Sequence, residues 1–213
     1  MNVIIPTWKA ATTLPATIAS LAGAGCRIII VDAGSPDGTA DVALALGAQV
    51  VQAEKGRGAQ LAAGAAAATA EWLLFLHADT RLEAGWSEAA AAFMAGPPGA
   101  AYFTFALDDD SPAARRLERA VAWRCRNLSL PYGDQGLLIH RAVYRAAGGY
   151  RPLPLMEDVD FVRRLQPVAL APRAITSAGK WRRSGYLARS AKNLAILTLY
   201  FAGVPPRWLA RIY

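Results

Sequence analysis

The apolar run at residues 72–76, WLLFL, constrains the fold of this 213-residue chain more than any other stretch. Five consecutive apolar residues are typical of a strand buried on both faces, and the polar cluster His77-Ala78-Asp79-Thr80-Arg81 begins where the run stops. In open α/β sheets, ligands bind just beyond the carboxyl ends of the strands. Asp79 is therefore the first candidate for a functional carboxylate. The alternative is that Asp79 only caps the turn that leaves the strand.

Other short apolar runs alternate with helical segments in the first half of the chain. Residues 2–6, 27–31 and 48–52 predict three further strands, with helical patterns between them that end at glycine. Alternation at this spacing predicts a parallel sheet with right-handed crossovers. We therefore expect a single α/β domain over residues 1–213, with a mostly parallel central sheet flanked by helices.

Charge divides the chain into two halves. Residues 1–110 hold five Lys and Arg against eleven Asp and Glu, a net charge of −6, whereas residues 111–213 hold eighteen against five, a net charge of +13. A basic half favours an anionic partner such as a diphosphate, a lipid surface or a nucleic acid. The alternative is that the arginines occupy solvated helix faces. No nucleic-acid-binding motif accompanies the charge, so we expect no nucleic acid partner.

The chain lacks the marks of secretion and of membrane insertion. No apolar run approaches the roughly 18 residues of a membrane span, and residues 1–8 lack a secretory signal. With two isolated cysteines, we expect a cytoplasmic protein. We expect the most apolar stretch, residues 194–204, to be buried against the sheet. The alternative is that this C-terminal helix, together with Arg207 and Arg211, contacts a membrane surface peripherally.

Three more segments carry candidate residues. Lys55-Gly56-Arg57-Gly58 opens an alanine-rich helix, where backbone N–H groups and two cations can hold phosphate, although the glycines can equally be plain turn residues. Glu157 and Asp158 stand at the start of another helix, where acids also serve as favourable helix-end charges. The acids at residues 108–110 suit a solvated loop better than a metal site.

Five separated segments together resemble the family 2 glycosyltransferases, which have the GT-A fold. The segments are IIPTWKAATTLPATIASL, VDAGSPDGTADVA, KGRGAQLAAGAAAA with WLLFLHADT, PYGDQGLLIHR, and PLMEDVDFVRRL followed by KWRRSG. Their order and spacing resemble the small subgroup whose genes neighbour radical-SAM and selenium-linked or arsenosugar-type biosynthesis proteins. The resemblance implies a nucleotide-sugar-binding part at residues 1–110, an acceptor and catalytic part at 111–185 and a C-terminal helical segment at 186–213.

The resemblance also implies a reaction. The expected enzyme is an inverting, metal-dependent transferase of hexosyltransferase type, which moves a sugar from a nucleoside-diphosphate sugar to the hydroxyl of an unidentified acceptor. Asp158 matches the catalytic base, and Asp79 matches the last acid of the motif that holds Mg²⁺ or Mn²⁺. The other positions are Thr7, Asp32, Lys55, Arg57, Arg182 and Arg183 at the donor, and Glu157, Asp134 and Gln135 as acceptor or orienting residues. His77 is a candidate metal ligand, acting directly or through a neighbouring residue, and the alternative is that it is only a polar end to the strand. Residues 180–183 resemble a flexible basic segment that closes over the diphosphate.

The chain departs from the family pattern at three positions. His77 stands where the first acid of the metal motif is common, Ala33 where a second acid follows the second strand, and Ala62 where Asn is frequent. Two alternatives therefore stay open, a GT-A-like protein that has lost catalysis and a basic module that binds an anionic surface or nucleic acid. A sugar-1-phosphate nucleotidyltransferase is disfavoured, because residues 7–9 do not form its long glycine-rich loop.

Overall fold

Eight strands form one mixed sheet in the computed structural model, which describes residues 1–213. The spatial order is β3-β2-β1-β4-β7-β6-β8-β5, in which the first four strands are parallel. β7 runs antiparallel to β4 and β6, whereas β8 pairs parallel with β6 and antiparallel with β5. The strands are β1 (Asn2–Thr7), β2 (Arg27–Asp32), β3 (Gln49–Gln52), β4 (Trp72–Phe75), β5 (Thr80–Leu82), β6 (Ala100–Leu107), β7 (Leu137–His140) and β8 (Val168–Thr176).

Ten helices flank this sheet, and a short 3₁₀ turn, Gly133–Gln135, precedes β7. None of them combines the length and the apolarity that crossing a bilayer requires. The helices are α1 (Leu14–Ala19), α2 (Thr39–Ala45), α3 (Arg57–Ala67), α4 (Trp86–Met94), α5 (Pro112–Leu128), α6 (Arg141–Ala146), α7 (Glu157–Val162), α8 (Gly179–Ser184), α9 (Tyr186–Phe201) and α10 (Pro206–Ile212).

Both faces of the central strands are buried, as continuous apolar runs require. Alternate residues of β1 enter different cores, since side chains along a strand point to opposite faces. Val3 and Ile5 pack with α1, α2 and α4 on one side, and Ile4 packs with α3, α6 and α7 on the other. The prediction of one α/β domain with a mostly parallel, helix-flanked sheet is confirmed.

Two glycines let helix α3 pack closely against its neighbours. Gly64 faces the sheet, and Gly58 faces the segment that leads into α7. A Cβ on Gly64 would lie 2.3 Å from Cγ2 of Ile4 and 2.8 Å from Cγ2 of Val31. At the start of the helix, a Cβ on Gly58 would lie 2.2 Å from the carbonyl oxygen of Arg151. These contacts hold the N-terminus of α3 between the ends of the parallel strands and the segment that leads into α7.

Two strands of the sheet were not predicted from the sequence. The short strand β5 follows the turn that contains Asp79, and its three residues carry no resolvable period. Residues 168–176 form β8, whose register shifts opposite Phe103 and Thr104. That irregularity and Pro172 hide the continuous strand from the sequence pattern.

The prediction that residues 194–204 are buried against the sheet is wrong. Helix α9 packs mainly on α5, α8 and α10, and only part of its surface is covered. Ile196 and Leu197 are buried, whereas Leu194 is 64% exposed. Apolar composition alone did not distinguish the inner face of the helix from its outer face.

Substitution of Gly64 by Ala tests the close packing of α3. A methyl group at this position must displace Ile4 or Val31, and overpacking of this kind costs about 1–3 kcal/mol. Helix propensity acts in the opposite direction and favours Ala by about 1 kcal/mol. We expect a net loss in the free energy of unfolding, measured by urea denaturation. A stabilised variant would show that α3 lies farther from β1 and β2 than described.

Candidate active site

The carboxyl ends of β1 and β2 are joined by a buried hydrogen bond. Thr7 and Asp32 pair in register, and the Thr7 hydroxyl donates to Oδ1 of Asp32 at 2.8 Å. Ser35 donates its backbone N–H to Oδ2 at 2.7 Å and its hydroxyl to Oδ1 at 2.6 Å. Burial opposes ionisation of Asp32, but these hydrogen bonds outweigh it and lower the pKa of the carboxyl. Asp32 therefore fixes the loop after β2 and is itself only 1% exposed.

A cavity of about 410 Å³ opens above these strand ends, and we call it the donor cavity. Trp8 and Lys9 lie on one of its walls, and the ammonium of Lys55 sits 3.9 Å from the centre of the Trp8 ring. The side-chain amide of Gln60 ties α3 to the ends of β1 and β2 by donating to the carbonyl oxygens of Thr7 at 2.8 Å and Val31 at 2.7 Å. The lining includes Thr7, Trp8, Lys9, Arg57, Gln60, Asp79, Lys180 and Arg183.

A second cavity of about 440 Å³ lies beside the first, and we call it the acceptor cavity. Its lining includes Tyr132, Asp134, Asp158, Trp181, Arg189 and Asn193. The two cavities share five lining residues, so they meet along one boundary. The shared residues are Arg57, His77, Asp79, Ser177 and Lys180.

Asp79 lies at this boundary, in the turn between β4 and β5. The backbone N–H of Ser177 donates to the Asp79 carbonyl at 3.1 Å and ties the turn to the end of β8. Oδ2 of the Asp79 carboxylate lies 3.5 Å from Nζ of Lys180. Asp79 thus lies just beyond the carboxyl end of β4, the edge of a sheet at which ligands commonly bind.

His77 lines the same boundary and packs against the loop before β7. A Cβ on Gly133 would lie 2.6 Å from Nε2 of His77, so only glycine allows this approach. Burial, and secondly the positive charge of Arg57, lower the pKa of His77 to about 4. The imidazole is therefore neutral at pH 7, which is the form that binds metals.

The residues at the boundary fit a metal ion that arrives with a diphosphate. No group of three or more His, Cys, Asp or Glu side chains lies close enough to hold a metal alone. Asp79 offers a carboxylate, His77 a neutral nitrogen, and Oδ1 of Asp134 is buried without a hydrogen-bond partner. Mg²⁺ and Mn²⁺ accept such a sparse set when phosphate oxygens and waters complete the coordination.

Asp158 faces the acceptor cavity from the first turn of α7. Its Oδ2 accepts the backbone N–H of Gly133 at 3.0 Å, and its Oδ1 accepts that of Val159 at 2.8 Å. The carboxylate is therefore held by two fixed donors but still lines the cavity. A hydroxyl group bound there would meet an oriented proton acceptor.

Glu157 is buried behind Asp158 and pairs with Arg57. Oε1 of Glu157 lies 2.8 Å from Nε of Arg57, and its Oε2 has no hydrogen-bond partner. Burial raises the pKa of Glu157 to about 7, which the charge of Arg57 opposes and that of Asp158 reinforces. The carboxyl is only 1% exposed and lines neither cavity, whereas Arg57 lines both. The pair thus connects the start of α3 with the start of α7.

The loop before β7 carries Asp134 and Gln135. Burial, opposed by Arg124, raises the pKa of Asp134 to about 6, and the nearby charges of Asp158 and Asp79 add to the effect. Gln135 is 2% exposed and donates to the carbonyl of Phe103 at 3.2 Å. Asp134 therefore lines the acceptor cavity, whereas Gln135 shapes it only through the loop.

The basic segment at residues 180–183 lies in helix α8, and its charged side chains reach different places. Lys180 reaches the boundary and Arg183 the donor cavity, but Arg182 turns toward Asp108 at 3.1 Å and Asp109 at 3.3 Å. Asp108 also accepts the backbone N–H of Ala178 at 2.6 Å. Asp108 and Asp109 therefore anchor α8, whereas Asp110 faces solvent and lies 3.7 Å from Arg115.

Sequence reasoning missed several residues of the acceptor cavity. Arg189 and Asn193 come from α9, and the Arg189 guanidinium lies 5.3 Å from the centre of the Trp181 ring. Their spacing of four residues places them on one helix face. That spacing is the single signal available in the sequence, and it does not indicate which cavity the face meets.

The chain matches known glycosyltransferases in sequence. Residues 2–151 match the family described as glycosyl transferase family 2. An uncharacterized glycosyltransferase of Mycobacterium tuberculosis is 38% identical over 86 residues, which are 40% of this chain and 39% of that protein. A relative from Mycobacterium bovis matches to the same extent. The alignment thus spans well under half of the curated relatives.

Solved structures share the fold at low identity. Glucosyl-3-phosphoglycerate synthase from Mycobacterium tuberculosis, in complex with Mn²⁺, UDP and glucosyl-3-phosphoglycerate, has a TM-score of 0.61 at 19% identity, over 96% of this chain and 80% of that chain. A mannosyltransferase from Pyrobaculum calidifontis with GDP-Man and Mn²⁺ has a TM-score of 0.62 at 16% identity, over 97% and 65%. TarS (1–349) of S. aureus has a TM-score of 0.63 at 16% identity, over 83% and 57%.

The family match covers well over half of the chain, and the fold is that of the GT-A neighbours. The chain therefore belongs to glycosyl transferase family 2.

Proposed function

We propose that this enzyme transfers a sugar from a nucleoside-diphosphate sugar to an acceptor hydroxyl, with a divalent metal and with inversion at the anomeric carbon. One observation carries the proposal: two cavities meet at Asp79, Arg57 and Lys180, and Asp158 faces the second of them. This arrangement separates a phosphate-binding side from a proton-accepting side. An inverting displacement requires that separation, because the nucleophile and the leaving group lie on opposite faces of the sugar.

The donor cavity suits the leaving diphosphate. Breakage of the bond between the anomeric carbon and phosphate leaves negative charge on the nucleotide, and fixed cations at that place lower the barrier. Arg57, Lys180 and Arg183 line the cavity together with Thr7, and Lys55 lies against the ring of Trp8, another lining residue. Mg²⁺ or Mn²⁺ beside Asp79 and His77 would add further charge neutralisation. Structural neighbours that bind Mn²⁺ with UDP or GDP-Man support this donor class.

The base assignment favours Asp158 over Glu157. A pKa of about 7 would by itself suit Glu157 for general-base work, since efficient bases titrate near the working pH. The geometry supports Asp158 instead, because Oε1 of Glu157 is held by Arg57 and the Glu157 side chain lines neither cavity. Asp158 lines the acceptor cavity and can take the proton of the attacking hydroxyl. Glu157 then positions Arg57 and the start of α7.

The predicted parts of the chain, residues 1–110, 111–185 and 186–213, match the lining of the two cavities only in part. Residues 1–110 supply most of the donor side, but Lys180 and Arg183 also reach it, and Arg189 and Asn193 of the C-terminal segment line the acceptor side. Membership of the subgroup linked to radical-SAM and arsenosugar-type biosynthesis proteins rests on motif order and spacing alone.

A thermal-shift screen tests the donor assignment and its metal dependence. Ligands that bind only the folded state raise its melting temperature. We expect one of the UDP-, GDP-, CDP- or dTDP-sugars to raise the Tm with Mn²⁺ or Mg²⁺ but much less with chelator. Asp79→Ala should remove the metal-dependent part of the shift and leave the metal-free part. An equal shift with metal and with chelator would contradict the metal role of Asp79.

Substitution of Asp158 by Asn tests the base. Loss of general-base catalysis costs about 10²–10⁴-fold in rate. We therefore expect donor turnover, followed as release of nucleoside diphosphate with water as the acceptor, to fall by that amount while donor affinity measured by calorimetry stays within about threefold. Glu157→Gln is the matched control, which should retain more turnover. Parallel loss of donor affinity in Asp158→Asn would refute the assignment.

The pH dependence of stability tests the burial of Glu157. Its pKa is about 7 in the folded protein, above the unfolded value of about 4.3, so the folded state holds more protons between these values. The contribution of Glu157 to stability is therefore lost as the pH rises from about 4.5 to 7, by up to about 3 kcal/mol. Urea unfolding should show this loss in the wild type relative to Glu157→Gln. Curves that stay parallel across this range would contradict the raised pKa.

A further inference from the structure

Helix α9 exposes apolar side chains where a surface helix normally exposes charged ones. Successive spacings of four and three residues place five residues in one stripe, which we call the α9 face: Leu187, Ala191, Leu194, Thr198 and Phe201. All five are exposed, and the leucines reach 87% and 64% exposure and Phe201 47%. A surface helix of a globular protein shows the opposite arrangement, with its apolar stripe turned inward.

The charges around the α9 face have one sign. Helices α9 and α10 hold four cations, Arg189, Lys192, Arg207 and Arg211, and no Asp or Glu. A further cation, Arg163, places its guanidinium 4.9 Å from the centre of the Phe201 ring at the end of the face. The exposed apolar stripe thus belongs to a pair of helices whose charged side chains are all positive.

Helix α10 packs against α9 and extends this surface. Leu209 is buried with Ile196 of α9 and anchors the short helix. Arg207 and Arg211 remain exposed, and the Trp208 side chain is 60% exposed. An exposed Trp between two arginines is typical of a helix at a membrane interface, where the indole occupies the headgroup layer.

We propose that the α9 face, with Arg207, Trp208 and Arg211 of α10, docks peripherally on an anionic lipid bilayer. The leucines and Phe201 enter the boundary between headgroups and acyl chains, and the arginines contact lipid phosphates. Burial of apolar side chains and attraction of cations to an anionic surface add to one another, and each contribution alone gives only weak binding.

The positive charge of α9 and α10 favours an anionic bilayer over a second copy of the chain as the partner of this surface. Pairing of two α9 faces would bring together two copies of α9 and α10, each with four cations and no acid. Like charges at close range oppose association, whereas an anionic leaflet attracts the same surface. The bilayer is therefore the occupant that the charges favour.

Docking would also place the acceptor cavity beside the membrane. Arg189 and Asn193 line that cavity from α9, on the side of the helix opposite Leu187 and Leu194. The membrane surface and the active site thus use different faces of one helix. The proposal stands without the proposed reaction, because it rests on residues outside both cavities.

Flotation with lipid vesicles tests the docking surface. We use vesicles of phosphatidylcholine alone and of phosphatidylcholine with phosphatidylglycerol, at low and at high salt. The wild type should float with the anionic vesicles, more strongly at low salt. The double variant Leu187→Ser, Leu194→Ser should bind the anionic vesicles at least about tenfold more weakly than the wild type, because two leucines no longer enter the bilayer.

Matched variants separate surface chemistry from folding. Leu44→Ser with Leu46→Ser changes two leucines that are 58% and 43% exposed near α2, and vesicle binding should not change. Arg207→Gln with Arg211→Gln should weaken binding to anionic vesicles about fivefold for each arginine and flatten its salt dependence. All these side chains are exposed, so the melting temperatures should stay close to the wild-type value.

Three outcomes would overturn the proposal. The first is a wild type that does not float with anionic vesicles at low salt, and the second is a Leu187→Ser, Leu194→Ser variant that floats as well as the wild type. The third is a wild-type dimer in sedimentation velocity that this variant dissociates, which would assign the face to a second copy. None of these results affects the nucleotide thermal shift, so the two proposals fail independently.

Discussion

The ion pair between Arg57 and Glu157 is the interaction on which the site depends. It joins the first residue of α3, which is fixed to the parallel strands, to the first residue of α7, which carries Asp158. Glu157 is almost completely buried, so its charge is costly unless Arg57 remains beside it. Gly58 makes the pairing possible, because any side chain there would collide with the backbone at Arg151. Distant parts of the chain are thereby held at one boundary.

At that boundary, oppositely charged side chains lie close together. Lys180 lies 3.5 Å from Asp79, and Arg57 lies between the buried Glu157 and both cavities. His77 stays neutral because burial and the charge of Arg57 disfavour its protonation. A bound diphosphate would enter a place where cations are already fixed, and fixed charges need no reorganisation during the reaction. In the proposed reaction, burial of these charges thus stabilises the leaving diphosphate at a cost to folding.

Much of the fold followed from the sequence, because the parallel strands are continuous apolar runs and each ends in a polar residue. The position of Asp79 was expected for the same reason and that of Asp158 from the resemblance to the family. The structure brings both into one cavity, and their roles stay predictions. Other features depend on packing between distant segments. The sequence does not show that Arg57 turns to Glu157, that Arg182 turns to Asp108, or that α9 keeps an apolar face outside. A period of 3.6 residues identifies the two faces of a helix but not which one is covered.

A double-mutant cycle on Arg57 and Glu157 tests the central claim most directly. The cycle compares the free energies of unfolding of the wild type, Arg57→Met, Glu157→Gln and the double variant at pH 7.5 in urea. Arg57→Met leaves the buried Glu157 without its counter-charge, so this substitution should lower stability, and it should cost at least about 1 kcal/mol less when Glu157 is already Gln. Partial exposure of Arg57 keeps this coupling below the value for a fully buried pair. Additivity within about 0.5 kcal/mol would mean that the pair does not hold α3 and α7 together, and the account of the site would be wrong.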